Sequence, residues 1–291
     1  MDVTPRSLIL DLMATLPPEG SHAMPVRALV EAGGYFGLAG NSLRVALARL
    51  MAQGRVDRDE RGRYRQGSAV TSATRVIRGW RRVDAGTRAW SGAWVAVQSR
   101  ANRSRTEKKQ DAQALRLFGF RDFDFGLSLR PDNLPGGIDG IRNSLFDSGL
   151  TSSSLVTRMS DLGEEQEARA FALWDTDELK AEYKKTVAAL LQSRKSLRHA
   201  SDHEAMVETF RVGGRAIRQL VLDPRLPKEM LDSRPRASLV AAMTEYDRFG
   251  RAVWAPFMRR HGVAPSRAKA SVPFETAAGI YAQDRAVTEA P

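Results

Sequence analysis

Hydrophobic periodicity divides the chain into short helices, then alternating strands and helices, then long helices. Over residues 6–16, Leu8, Ile9, Leu12, Met13 and Leu16 recur at helical spacing, and Pro17 and Pro18 close the segment. Residues 25–32 predict a second short helix, with Pro25 at its first position and Gly33 and Gly34 at its end. After a turn of small residues, NSLRVALARLMAQG places Leu43, Ala46, Leu47, Leu50 and Met51 on one face. Asn41, Arg44, Val45, Ala48 and Arg49 fall on the other face. Asn41 or Ser42 is the expected N-cap, and Gly54 the residue just past the helix. RVDRDERGRYRQ then predicts two short strands, near 55–58 and 63–66, around a charged turn at Asp59, Glu60, Arg61 and Gly62.

Residues 68–83 read as a basic connector helix bearing Arg75, Arg78, Arg81 and Arg82, and DAGTRAWSG marks a boundary. GAWVAVQ predicts a strand with Trp94, Ala96 and Gln98 on one face and Val95 and Val97 on the other. RTEKKQDAQALRLFGF predicts a helix packing through Ala112, Leu115 and Leu117 or Phe118. DFDFGLSLRP predicts a strand or strand pair, GGIDGIRNSLFDSGL a helix, and SSSLVTRMS a further strand. This β-α-β-β-α-β succession fits a small ferredoxin-like domain.

After Asp161 the pattern is helical, with capping-box-like starts at Asp175 to Glu178 and Ser201 to Glu204 and a Pro-rich loop, LDPRLPKEMLDSRPR. Residues 263–291 lack periodicity and read as a tail or peripheral strap. The expected class is α+β. Residues 1–67 form a winged helix-turn-helix, 68–89 a connector, 90–160 a ferredoxin-like domain, 161–262 a helical domain, and 263–291 the tail.

Charge sharpens this picture. Residues 1–120 carry 20 basic and 10 acidic side chains, while the remainder carries 25 and 24, so the net +11 is concentrated near the start. That asymmetry points to a polyanion-binding first part. A reading helix needs one face that packs and one that meets base edges, which assigns Asn41, Ser42, Arg44, Val45 and Arg49 to DNA. Arg49 could also contact phosphate or pair with Asp57 or Glu60. A wing needs cations for phosphates, supplied by Arg58, Arg61, Arg63 and Arg65.

Other chemistry finds little support. The chain has no cysteine, which excludes disulfides, thiol catalysis and cysteine-based metal sites and fits a cytoplasmic protein. No apolar run approaches the ~20 residues of a membrane helix, and no secretory signal is evident at the start. His199 and His203 have a metal-compatible spacing, but Ser201 and Asp202 between them read as a helix start that separates the pair. Asp122 and Asp124 alternate with Phe123 and Phe125, as acids exposed beside a packed aromatic face would. No nucleophile elbow, Walker loop or dinucleotide fingerprint is present, so neither a catalytic set, a metal site nor a cofactor is expected.

RSLILDLMATL followed by NSLRVALARLMAQGRVDRDERGRYR resembles the winged helix of the phenylacetic-acid degradation repressor (PaaX) family. WSGAW at residues 90–94 resembles that family's entry into its middle domain. RVGGRAIRQLVLDPRLPKEMLDS resembles its C-terminal helix and D-P-x-L-P-x-x-L loop, here Asp223, Pro224, Leu226, Pro227 and Leu231. The resemblance spans about residues 6–260. It departs after the wing, where QGSAVTSAT replaces the family's threonine–proline–arginine–glycine-like turn, and after residue 262.

The resemblance implies a homodimeric repressor of aromatic catabolism with a Cas2-like middle domain. It would bind an inverted-repeat operator and be relieved by an acyl-CoA thioester. Arg78, Arg81, Arg82, Arg103 and Arg105 are the cations near the connector that such a phosphate-bearing effector would meet. The contrasting reading, a Cas2-like metal-dependent nuclease, needs an aspartate at the end of the first middle-domain strand, where this chain has Val97, Gln98 and Ser99. An adaptor that binds protein through its winged helix would not need the arginines of the third helix and hairpin.

Overall fold

The computed structural model describes residues 3–14, 16, 23–67, 80–82, 87–100 and 102–263. The connector expected over 68–83, apart from a 3-10 turn at Trp80–Arg82, and the tail after residue 263 lie outside them. The chain is mixed α and β, with two small antiparallel sheets and a helical C-terminal region. It forms two compact units. One comprises residues 1–70, 187–219 and 241–291, and the other residues 71–186 and 220–240.

The first unit begins with α1 (Pro5–Ala14), β1 (Met24–Pro25), α2 (Val26–Tyr35), α3 (Gly40–Ala52), β2 (Val56–Arg58) and β3 (Arg63–Gln66). β3 lies between β1 and β2, with Met24 opposite Tyr64 and Asp57 opposite Arg65. β1 has two residues, too few for an alternating signature in the sequence, and Pro25 is extended instead of opening the helix.

Gly33 and Gly34 lie inside α2, contrary to the expectation that they end it. The reason is packing: a Cβ on Gly33 would stand 2.2 Å from Leu43 Cδ1. Glycine therefore serves close approach of α2 to α3.

α3 packs through Leu43, Leu47 and Leu50, whereas Met51, expected on the same stripe, is exposed because the stripe drifts by one position at the helix end. Gly54 follows the C-cap as expected, with Gly54 N–H bonded to Met51 O and Arg55 N–H to Leu50 O, the paired bonds of a Schellman end.

In the hairpin turn, Asp59 Oδ1 accepts from the amides of Arg61 (3.0 Å) and Arg63 (2.7 Å), and Gly62 has φ +73°.

Three long helices lie in the described C-terminal part: α7 (Thr176–Ser196), α8 (Asp202–Val221) and α9 (Arg234–Arg260). Met206 of α8 and Trp254, Phe257 and Met258 of α9 are buried in the same core as Leu8, Leu12, Leu29 and Leu47. Phe36 meets Phe210 edge-on at 5.0 Å. The core of the three short helices therefore draws on residues nearly two hundred positions away.

The second unit carries β4 (Trp94–Gln98), α4 (Arg105–Leu117), β5 (Arg121–Asp124), β6 (Leu127–Pro131), α5 (Gly137–Asp147) and β7 (Leu155–Met159), followed by α6 (Glu164–Phe171). Its sheet order is β5-β6-β4-β7 with every neighbour antiparallel. α4 buries Asp111, Ala114, Leu115 and Leu117 while Ala112 is exposed, the reverse of the expectation for Ala112. A charged residue replaces an apolar one on the buried face because Asp111 has partners: the Arg103 guanidinium and the Thr151 amide at 2.7 Å.

Phe125, expected on a packed face, is 96% exposed, because β5 ends at Asp124 and Phe125 sits in the following turn with φ +35°. Trp94 lies parallel to Trp174 at 6.2 Å and donates to Glu167 Oε2 at 2.9 Å.

The Pro-rich loop is anchored by buried charge. Asp223 accepts from Tyr183 O–H (2.5 Å), Arg225 N–H (2.7 Å) and Arg236 Nη1 (3.3 Å). Arg130 is fully buried and donates to the carbonyls of Phe118 and Pro131 and to Asn133 Oδ1 (2.8 Å). Burial and the neighbouring Arg225 push its pKa well below the usual guanidinium value. Gly119 permits the approach, since a Cβ there would lie 2.6 Å from Pro224 Cα.

Two stability tests follow. Phe257→Ala removes an aromatic ring from the shared core and should lower unfolding free energy by about 3–5 kcal/mol. Asp223→Ala removes the buried carboxylate that Tyr183 O–H, the Arg225 amide and Arg236 share and should cost a similar ~3–5 kcal/mol. Urea unfolding monitored by tryptophan fluorescence checks both, and an effect under about 1 kcal/mol at either position contradicts the corresponding packing.

Candidate nucleic-acid interface

The exposed side of α3 is built by what the helix does not use. Its N-cap is Ala39, which offers no side-chain cap, instead of Asn41 or Ser42. The helix begins early because Ala39 is extended (φ −66°, ψ 135°) and its carbonyl already accepts from Leu43 N–H. Asn41 and Ser42 thus sit within the first turn, both exposed, with their polar side chains not used for capping. Arg44, Val45, Ala48 and Arg49 are exposed beside them, and Val45 has 44% of its surface free.

Among the described residues, neither Arg44 nor Arg49 forms an ion pair, so the Asp57 and Glu60 partners considered for Arg49 are not engaged with it. The result is a row of polar and cationic groups around one apolar side chain, carried on a helix whose opposite face is core.

The hairpin contributes cations with different freedom. Arg61 and Arg65 are exposed and form no ion pair among the described residues. The Arg58 guanidinium lies 6.0 Å from the Tyr64 ring centre and close to Gly62 of the turn, contacts that leave its charge unneutralised. Arg63 is half-buried and donates from Nη2 to the carbonyl of Gly262 at 2.9 Å. It ties the hairpin to the end of α9, a role that its neighbours in sequence do not signal.

A second tie joins α2 to the same chain segment. Glu31 Oε1 accepts from Tyr35 O–H at 2.8 Å and from Arg260, while Glu31 Oε2 meets His261 Nε2 at 2.9 Å. The Tyr35 ring also packs against His203 at 5.9 Å and Phe257 at 6.1 Å. Partial burial works to raise the Glu31 pKa, but the Tyr35 hydrogen bond and the charges of Arg260 and His261 outweigh it, and the carboxyl falls below its ordinary value of 4.5. Glu31 and Tyr35 stand one turn apart in sequence. Their partners lie some 230 residues away, beyond any local pattern.

The cations assigned to an effector are less uniform. Arg78 lies outside the described residues, and of Arg82 only the backbone turn is described. The Arg81 guanidinium is 4.3 Å from the Trp80 ring centre. Arg103 is bound to Asp111 and to Arg100 O (2.7 Å), so its charge is met within the unit. Arg105 is exposed in the first turn of α4, after the Ser104 capping box.

The Ser201 N–H and O–H both reach Glu204 Oε2, at 3.0 and 2.6 Å, at the helix start expected between His199 and His203. Among the described residues no group of three or more histidine and carboxylate side chains comes together as a metal site requires, and no helix is long and apolar enough to cross a membrane.

Residues 174–254 match the family model of the PaaX-like protein C-terminal domain. This segment contains Tyr183, Asp223 and Arg236, the group that anchors the Pro-rich loop. The chain is also similar in fold to a solved structure described as "Uncharacterized protein Rv0674 from Mycobacterium tuberculosis". The TM-score is 0.55 with 23% identity, over 88% of this chain and 99% of that one. No curated protein matches significantly.

The Glu31 cluster predicts a signed pH effect. A carboxyl whose folded pKa lies below its unfolded value stabilises the fold above the unfolded value, and that contribution is lost as pH falls through the folded one. Glu31→Gln should therefore be less stable than the parent at pH 7, by under about 1 kcal/mol because the carboxylate is partly exposed. The difference should shrink below pH 4.5. Paired thermal melts from pH 7 to pH 3 test this, and a difference that grows on acidification would refute the assignment.

Proposed function

We propose that this chain, which carries the C-terminal domain of PaaX-like proteins, is a DNA-binding transcriptional regulator. In this reading residues 1–67 act as a winged helix-turn-helix, with α3 in the major groove and the β2–β3 hairpin as the wing. The observation that carries it is the exposed row Asn41, Ser42, Arg44, Val45 and Arg49 on a helix packed by its other face, beside a hairpin with accessible arginines. Exposed guanidiniums without protein partners are suited to bidentate guanine contacts and to phosphate. The second unit, with its β-α-β-β-α-β order, is read as the ferredoxin-like middle domain of the family.

The finer reading is a homodimeric repressor of a catabolic operon, released by a small effector such as an acyl-CoA thioester. A single winged helix reads a short site, and a two-fold pair doubles it, giving an inverted repeat with half-sites about one helical turn or a multiple apart. The effector would bind more tightly to the DNA-free arrangement, and DNA would then weaken effector binding by the same factor. No catalytic step is assigned to the chain in this reading.

Selection of operator sequences from random DNA with the full-length protein, followed by footprinting, tests the proposal. Arg44→Ala should lower specific affinity by about 1–3 kcal/mol and relax selectivity at one base pair. Replacing Arg61 and Arg65 together should weaken specific and non-specific binding alike and flatten the log–log salt slope by about 0.9 per lost phosphate contact. Equal affinity and selectivity of Arg44→Ala, with an unchanged salt slope for the hairpin double variant, would refute the interface.

A further inference from the structure

The reading face of α3 has an apolar centre that charge attraction does not explain. Val45 keeps 44% of its surface exposed, though the three leucines of the same helix are almost fully buried. It stands one turn after Asn41 and one turn before Arg49, with Arg44 adjacent in sequence, and Ala48 lies one turn further along the same face. A single exposed valine on a monomer surface would need no explanation. This one is ringed by polar and cationic side chains of which Arg44 and Arg49 form no ion pair among the described residues. Such a ring complements an acidic partner, and an apolar group on that partner would suit its centre. In the major groove of DNA the apolar group displayed at base-edge level is the C5-methyl of thymine.

We propose that Val45 is a specificity-determining residue that reads thymine by packing its branched side chain on that methyl group, with Arg44 and Arg49 holding the flanking groove. The proposal rests on the DNA-binding reading of α3. A β-branched side chain suits this contact because restricted χ1 rotation fixes its methyl groups close to the helix, so it loses little freedom on binding. The substitution of uracil for thymine removes only the methyl and leaves every hydrogen-bonding group in place. It isolates this contact from the polar readout of Asn41 and Arg44.

The experiment uses the full-length protein and a DNA sequence that it has selected from a random pool. Each thymine of a half-site is replaced by uracil, one at a time, and affinities are measured for the parent and for Val45→Ala and Val45→Thr. One thymine should respond, with parent affinity falling about three- to fivefold, as expected for one methyl group withdrawn from a buried contact. Val45→Ala should bind the thymine and uracil forms equally. Val45→Thr, which keeps one methyl in the same shape, should retain part of the discrimination. Because Val45 is exposed, all three proteins should melt alike.

If no thymine responds in the parent, or if the response persists in Val45→Ala, the proposal is overturned while the DNA-binding reading stands. If the protein selects no DNA sequence at all, the DNA-binding reading fails and this proposal fails with it.

Discussion

The structure of the first unit depends on one shared hydrophobic core. Three short helices and a small sheet remove comparatively little apolar surface from water, since small domains bury a low fraction of the surface their unfolded chains expose. Here Trp254, Phe257 and Met258 on α9 and Met206 on α8 enter the same core as Leu8, Leu12, Leu29 and Leu47. The polar ties run in parallel: Arg63 to Gly262, and Glu31 to Arg260 and His261. The presentation of α3 is therefore coupled to the packing of the C-terminal helices. A change that displaces the end of α9 acts on α2 and the hairpin through both apolar and polar contacts.

The second unit is organised around buried charge. Arg130 approaches the Pro-rich segment, which itself carries Arg225 and Arg236, and Asp223 is the carboxylate that bonds both the loop backbone and Arg236. Guanidiniums are suited to this position because their planar donors can be shared among several carbonyls, as Arg130 shares its donors with Phe118, Pro131 and Asn133. Buried ionic groups of this kind contribute little net stability but punish the loss of a partner. They hold the loop in one geometry.

Much of this is legible from periodicity. The two hairpin strands, the β-α-β-β-α-β succession, the packed leucines of α3 and the helix start at Ser201 all leave local signatures. The exposed face of α3 follows too, because surface and core positions alternate on a helix with a fixed period. What escapes local reading has identifiable causes. Gly33 looks like a terminator in the sequence, since the Leu43 methyl that requires its missing side chain lies on another helix. Asp111 looks like a surface residue, since Arg103 and Thr151 satisfy it only after folding. Phe125 looks like core, since the end of β5 at Asp124 is set by a turn and not by hydrophobicity. Arg63 resembles its neighbours, though its partner is a carbonyl at residue 262.

The start of α3 has an evolutionary consequence. Its first turn is closed by backbone groups after Ala39, so Asn41 and Ser42 have no structural duty. Arg44, Val45 and Arg49 likewise face outward with nothing in the core depending on them. Residues with no structural duty can be exchanged without disturbing the fold that carries them. Lineages that share this scaffold would be free to vary the exposed face of α3 while the packed face of the same helix stays unchanged.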